Sequence, residues 1–158
     1  MTTLPISPEV ADAFATDGAV FLPGLFTDWM EVLRDGVTEN EAHPSEFFDD
    51  NGTTDDTGRF WDDYCNWSRI PEFERFAFDS GIGQVAAGLM RSETAQLFHE
   101  HVLVKEAGAP RPTPWHCDAP YYFVEGPQTV SLWLPLDPVP VESTLRLIKG
   151  SHLWDSSV

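Results

Sequence analysis

Thr113-Pro-Trp-His-Cys-Asp-Ala-Pro-Tyr-Tyr122 is the stretch around which the rest of the chain reads coherently. Pro114 and Pro120 exclude a helix through it, because each ring removes a backbone donor and clashes with a preceding helical turn. In extended backbone, side chains two apart point to the same side. His116 and Asp118 are therefore expected to lean together, an imidazole nitrogen beside a carboxylate oxygen. That pair furnishes two of the three protein ligands in a 2-His-1-carboxylate facial triad, which suits non-haem Fe(II) and leaves coordination positions open. His-x-Asp alone is a weak motif, since the same two residues make ordinary polar contacts in many loops.

The flanking sequence supplies the rest of the argument. From Thr94 the pattern has period two, with Gln96, Phe98, Glu100, Val102 and Val104 on one side and Leu97, His99, His101, Leu103 and Lys105 on the other. A second alternating run, Thr129 to Leu134, sets Val130, Leu132 and Leu134 against Thr129, Ser131 and Trp133. Leu145 to Lys149 is a third. Upstream, the period is helical. Ser7-Pro8-Glu9 is a helix start with cap, first-turn proline and acid, and Gly18 is placed to end that helix. Ala19 to Leu22 reads as a short strand. A second helix is expected from Thr27 or Asp28, burying Trp29, Leu33 and Val37. A third is expected from Pro71 through Phe78, and a fourth after a Ser80 cap, with Ile82, Val85 or Ala86, and Leu89 on one side. Helices first and strands afterwards predict an α+β protein, a sheet-based core covered by amino-terminal helices.

Residues 43–69 are polar and read as a solvated loop, whose aromatic members Phe60, Trp61, Tyr64 and Trp67 are expected to anchor it to the core or, as the alternative, to fold over the site as a lid. A calcium loop centred on Gly52 fails, because its first and twelfth positions would be Phe47 and Gly58 rather than acids. Gly81-Ile-Gly83-Gln-Val-Ala86 imitates a dinucleotide fingerprint, but that motif needs a strand immediately before it and a helix is expected there.

At 158 residues, with 42% hydrophobic and 13% aromatic content, the chain is long enough for one globular domain with a core. A net charge of −17 argues against nucleic acid and anionic membrane, both polyanions. Residues 1–79 hold 18 acids and 4 bases, and residues 80–158 hold 8 acids and 5 bases. The acidic half is expected outside, with the chemistry in the near-neutral half. No apolar run reaches membrane-spanning length, and the amino terminus lacks the regions of a signal peptide. Two cysteines, Cys65 and Cys117, form no framework and fit free thiols in a reducing cytoplasm. In that setting the glycosylation-type matches at Asn51 and Asn66 carry no meaning.

Thr-Pro-Trp-His-Cys-Asp-Ala-Pro-Tyr-Tyr at 113–122, Ser-Leu-Trp-Leu-Pro-Leu-Asp-Pro-Val at 131–139 and Leu-Arg-Leu-Ile-Lys-Gly-Ser-His at 145–152 resemble, in order and spacing, the phytanoyl-CoA dioxygenase family of Fe(II)- and 2-oxoglutarate-dependent oxygenases. His-Val-Leu-Val-Lys-Glu at 101–106 and the opening are similar too. The resemblance implies a double-stranded β-helix, a cupin-like jelly roll, with metal inside. It implies that His116 and Asp118 are iron ligands, that Trp133 stands beside the co-substrate, and that Lys105 meets a 2-oxoglutarate carboxylate. Tyr121, Tyr122 and Phe123 are expected to line the cavity for a small organic substrate. Related halogenases carry a small residue at the Asp118 position so that chloride can bind, so Asp118 points to hydroxylation.

The family's third ligand, a distal His, and its 2-oxoglutarate-clamping Arg lie downstream of the Gly-Ser-His turn. This chain ends 40 residues after Asp118 without such a segment. The expectation is one domain over 1–158, carboxy-terminally incomplete, with sheet edges left open. His152 and His101 are weak substitutes for the missing ligand, and His99 and His43 weaker still. Two other classes remain open: a non-catalytic jelly-roll binding module or degenerate fragment, and a different metal enzyme on a cupin-like barrel.

Overall fold

A computed structural model describes residues 6–51, 58–109, 113–124 and 126–154. Helix α1 spans Pro8–Asp17, and the Ser7 side chain caps it by accepting from the Val10 amide at 3.4 Å. Gly18 closes it in the left-handed conformation, φ 82°, its amide donating to the Phe14 carbonyl. A short 3-10 turn at Thr27–Trp29 leads into α2, Met30–Ala42, which buries Leu33 and half-buries Trp29 and Val37. Helices α3, Pro71–Asp79, and α4, Ile82–Met90, follow as the periodicity predicts, and the Ser80 hydroxyl accepts from the Ile82 amide. The Gly81-x-Gly83 stretch thus opens a helix preceded by a helix, the wrong setting for a dinucleotide turn.

The helices meet through aromatic rings. Phe76 of α3 packs edge-on against Phe26 at 5.3 Å and against Trp29 at 5.7 Å. Gly36 lets α3 approach α2, since a Cβ there would stand 2.5 Å from the Phe73 ring. The core joins Phe26, Leu33, Ile70, Phe73, Phe76, Val85 and Leu89 to Trp61 and Val102 from the sheet.

That sheet corrects the reading of residues 43–69 as a solvated loop. The segment supplies β1, Asp49–Asp50, and β2, Phe60–Tyr64, which pair antiparallel with β3, His101–Lys105, in the order β1-β2-β3. Trp61 and Asp63 point into the core, 1% and 0% exposed, while Phe60, Asp62 and Tyr64 take the other face. Acids disguised this strand, because alternation with Asp at an inward position does not look amphipathic. The Gly52-centred calcium alternative falls on residues 52–57, outside the described residues.

Asp63 is accommodated by hydrogen bonds. It accepts from Asn40 Nδ2 at 2.7 Å, from the Ser45 amide at 2.8 Å and hydroxyl, and from the Tyr64 amide at 2.8 Å, with Arg69 at 3.6 Å. The expectation that the acidic half lies outside is corrected with it. Residues 26–89 supply most of the core, because their other acids sit mainly on the exposed sides of α2 and α3 and in the segment between them.

The double-stranded β-helix is not formed among the described residues. Residues 129–134 and 145–149 carry no strand ladder, nor do residues 19–22. The alternation at 129–134 nonetheless chooses a side, whereas Leu145, Leu147 and Ile148 stay exposed. Val130, Leu132 and Leu134 pack against the core, as do Val20 and Leu22, while Trp133 is 49% exposed. Period two specifies which side is buried; a ladder also needs a partner strand in register, and Pro127, Pro135, Pro138 and Pro140 around the 129–134 run donate no hydrogen bonds. The turn at 148–152 folds back onto α1 instead. The Gly150 amide donates to the Asp17 carbonyl at 2.8 Å, Lys149 pairs with the Asp17 carboxylate at 2.8 Å, and His152 Nε2 donates to the Ala15 carbonyl at 3.0 Å.

Two measurements check this arrangement. Burial alone would raise the Asp63 carboxyl, but the donors from Ser45, Asn40 and Tyr64 outweigh it and hold it below its ordinary 3.8. Because folded Asp63 gives up its proton more readily than the unfolded chain does, its contribution is complete above about pH 4 and is lost as pH falls through the lower folded value. Asp63→Ala is expected to cost about 3 kcal/mol in urea unfolding at pH 7 and to remove that part of the acid sensitivity. A Cβ at Gly18 would collide with the His152 imidazole. Gly18→Ala should therefore cost about 1–2 kcal/mol, with part recovered in a His152→Ala background and the left-handed backbone strain remaining.

Candidate metal and substrate site

Residues 113–124 run over the surface without strand pairing and turn once in 3-10 form at Ala119–Tyr121. Asp118 starts that turn at φ −74°, ψ −31°, helical rather than extended, and its carbonyl accepts from the Tyr121 amide. The side chains of His116 and Asp118 nevertheless converge. His116 Nε2 stands 3.1 Å from Asp118 Oδ1, and both side chains are about half exposed.

The other ring nitrogen sets the chemistry. His116 Nδ1 is 2.8 Å from the Pro114 carbonyl, which can only accept, so Nδ1 carries a proton. In the neutral ring, Nε2 then directs its lone pair at a carboxylate oxygen. Two electron-rich atoms at that separation attract a proton or a cation between them. A backbone carbonyl holding the second nitrogen is also the usual way a ligating histidine is oriented. The donor set therefore suits a divalent metal at two positions. Among the described residues, no group of three or more His, Cys, Asp or Glu side chains is placed to hold a metal ion.

The sheet face opposite the core borders this pair. Register places Phe60 opposite Lys105, Asp62 opposite Leu103, and Tyr64 opposite His101, all on the face away from Trp61 and Val102. Lys105 lies over the Phe60 ring, its Nζ 5.1 Å from the centroid, about 13 Å along β3 from His101. At the other end, Tyr64 stacks on His101 at 3.8 Å with the rings 17° apart. His101 Nε2 lies 3.6 Å from Asp62 Oδ1. Burial holds the His101 imidazole below its ordinary 6.5, against the opposing pull of the Asp62 and Asp118 carboxylates, with His99 adding to the depression. Asp118 is thus near enough to His101 for its charge to be felt there.

Tyr122 bridges the two segments. Its hydroxyl is 2.9 Å from Ser131 Oγ, and its ring lies 5.3 Å from Phe98 and 6.2 Å from His99. Ser131 shares parity with Trp133, so the outward side of residues 129–134 faces Tyr122. Tyr121 is 78% exposed, and Phe123 flanks Phe98 at 4.6 Å. Arg146 lies over the ring of Trp115, next to His116, at 5.7 Å.

The remaining histidines are engaged elsewhere. His152 belongs to the turn docked on α1, and His43 pairs with Glu39 at the end of α2, 2.9 Å away. Asp62 and Tyr64, the latter expected only as a core anchor or a lid, and Arg146 were not named as site residues from the sequence. The signal for the first two was the Tyr64 and Asp62 parity in a Phe-Trp-Asp-Asp-Tyr strand, hidden by assigning that segment to loop. Cys65 and Cys117 are free and exposed.

The partly buried His101 ring gives a pH test. Its imidazole is expected to titrate below 6.5 in a histidine NMR titration, remaining neutral at pH 7. Asp62→Asn should lower the midpoint further by removing an opposing carboxylate. A midpoint at or above 6.5 would show that the ring is not enclosed between Tyr64 and its neighbours.

No helix among the described residues is long and apolar enough to cross a membrane. Comparison with curated proteins and with solved structures found no match. The family model described as Phytanoyl-CoA dioxygenase (PhyH) matches residues 14–158, a span that contains the last turn of α1, the whole sheet, His116, Asp118 and the docked turn. A match over that much of the chain, with the motif residues inside it, places the protein in the phytanoyl-CoA dioxygenase family.

Proposed function

We propose that this protein is an Fe(II)- and 2-oxoglutarate-dependent dioxygenase that hydroxylates a small organic molecule. The observation that carries the reading is the convergence of His116 Nε2 and Asp118 Oδ1 at 3.1 Å, with the imidazole held from behind by the Pro114 carbonyl. Family membership suggests an oxygenase-type enzyme.

The chemistry supplied by ferrous ion and 2-oxoglutarate, when bound, is oxidation of an unactivated C–H bond by O2, with 2-oxoglutarate leaving as succinate and CO2. The chain's part is to hold and to orient. His116 Nε2 and an Asp118 oxygen would hold the metal, and the Pro114 carbonyl fixes which histidine nitrogen is presented. Asp118, a carboxylate rather than a small residue, fills the position that halide would need, which favours hydroxylation. Lys105 is assigned to a 2-oxoglutarate carboxylate and Trp133 to the wall beside it. Tyr121 and Tyr122 are assigned to substrate. The free thiols of Cys65 and Cys117 fit a reducing, cytoplasmic setting.

A second reading is a non-catalytic binding module that has kept the family's fold elements. It is favoured by the exposure of the His116–Asp118 pair and by the absence, among the described residues, of a third ligand beside it.

Anaerobic ferrous titration with 2-oxoglutarate is expected to develop a metal-to-ligand absorbance band, and exposure to oxygen to release succinate. His116→Ala should weaken iron uptake at least about tenfold while leaving the circular dichroism unchanged, since the residue is exposed. Metal uptake without succinate release would overturn the oxygenase reading and leave the binding module or a different metal enzyme.

A further inference from the structure

A continuous run of rings borders the His116–Asp118 pair on the sheet side. It begins at Asp62, whose carboxylate is 3.6 Å from His101 Nε2, and passes through His101 and Tyr64, stacked at 3.8 Å. His99 lies 5.8 Å from Tyr64, and Phe98 and Tyr122 lie 4.7 Å and 6.2 Å from His99. Six side chains from β2, the approach to β3, β3 itself and the 113–124 segment thus form one floor with an acid at one end and rings along its length.

The floor's electrostatics select the sign of what lies on it. Aromatic faces are electron-rich and attract cations, and Asp62 reinforces them. A polyanion meets the reverse, on a chain of net charge −17. The bases that might offset this are mostly committed: Arg34, Arg59, Arg69, Arg91 and Lys149 each pair with carboxylates. Lys105 stands at the far end of the face, assigned above to the co-substrate.

We propose that this floor binds the substrate, and that the substrate is a small organic cation, a protonated or quaternary amine carrying apolar carbon, rather than a phosphate-bearing thioester. The ring faces of Phe98, His99 and Tyr122 hold it alongside Asp118, and Asp62, whose oxygens face Asn51 Nδ2 and His101 Nε2, adds negative potential from the end of the floor without touching it. The proposal rests on the oxygenase reading for calling the bound molecule a substrate; the binding itself does not depend on metal.

The test uses metal-free protein and benzyltrimethylammonium as the probe, followed by protein NMR at fixed ionic strength, against its uncharged carbon isostere and against coenzyme A. Saturable binding of the cation is expected, at least about fivefold tighter than the isostere, with no saturation by coenzyme A. Asp62→Asn and, independently, Tyr122→Leu should each weaken the cation at least about fivefold, while Glu74→Gln on α3 leaves it unchanged and so controls for net charge. Equal binding of cation and isostere, tighter binding of coenzyme A, insensitivity to both variants in folded protein, or no saturable binding would each overturn the proposal. Cation binding without succinate release from the iron-loaded protein would sink the oxygenase reading alone. Succinate release without cation binding would sink this proposal alone.

Discussion

The buried carboxylate of Asp63 is the constraint from which the rest of the structure follows. Its oxygens take donors from α2 through Asn40, from the Ser45 turn and from β2 itself, so helix and sheet are joined at a point water does not reach. An unpaired charge there would be untenable, and the number of donors is what makes it stable. Its position also sets parity. With Asp63 and Trp61 inward, Phe60, Asp62 and Tyr64 have nowhere to point but the opposite face. The polar lock under the sheet and the aromatic floor above it are two consequences of one register.

Pairing with β3 carries that parity across. Val102 and Val104 join Trp61 on the core side, so His101, Leu103 and Lys105 share the outer face with Asp62 and Tyr64. The 113–124 segment adds His116 and Asp118 from above, tied by Tyr122 to Ser131. The candidate site is therefore assembled from three stretches far apart in the chain. The sheet register and the ring contacts position them against one another.

Aspartates serve different roles here according to surroundings. Asp63, enclosed and fully bonded, is structural. Asp62, one residue away on the other face, is mostly buried, accepting from Asn51 Nδ2 at 2.9 Å and facing the His101 imidazole. Asp118 is exposed beside His116 and available to a metal. Composition counts all of these as equal contributions to net charge; strand parity and donor supply separate them. The docked turn at 148–152 illustrates the same principle for histidine, since His152 spends its ring nitrogen on a helix-end carbonyl rather than on chemistry.

Local interactions made much of this legible from residues alone. Helix α1 with its Ser7 and Gly18 caps and the starts of α3 and α4 depend on neighbours in sequence, where propensity and spacing are reliable guides. His116 and Asp118 converge as expected, but through a helical turn at Asp118 rather than the extended backbone that expectation assumed. The inward side of residues 129–134 was likewise readable, because burial there follows alternation. Which alternating runs become strands was decided only by the fold. Residues 60–64 gained a ladder because Asn40, Ser45 and Arg69 arrive from elsewhere to satisfy Asp63, whereas residues 129–134 have the pattern but no register partner among the described residues. Side-chain pattern is a property of one segment; a ladder and a satisfied buried charge belong to two or more, and the sequence does not say which segments will meet.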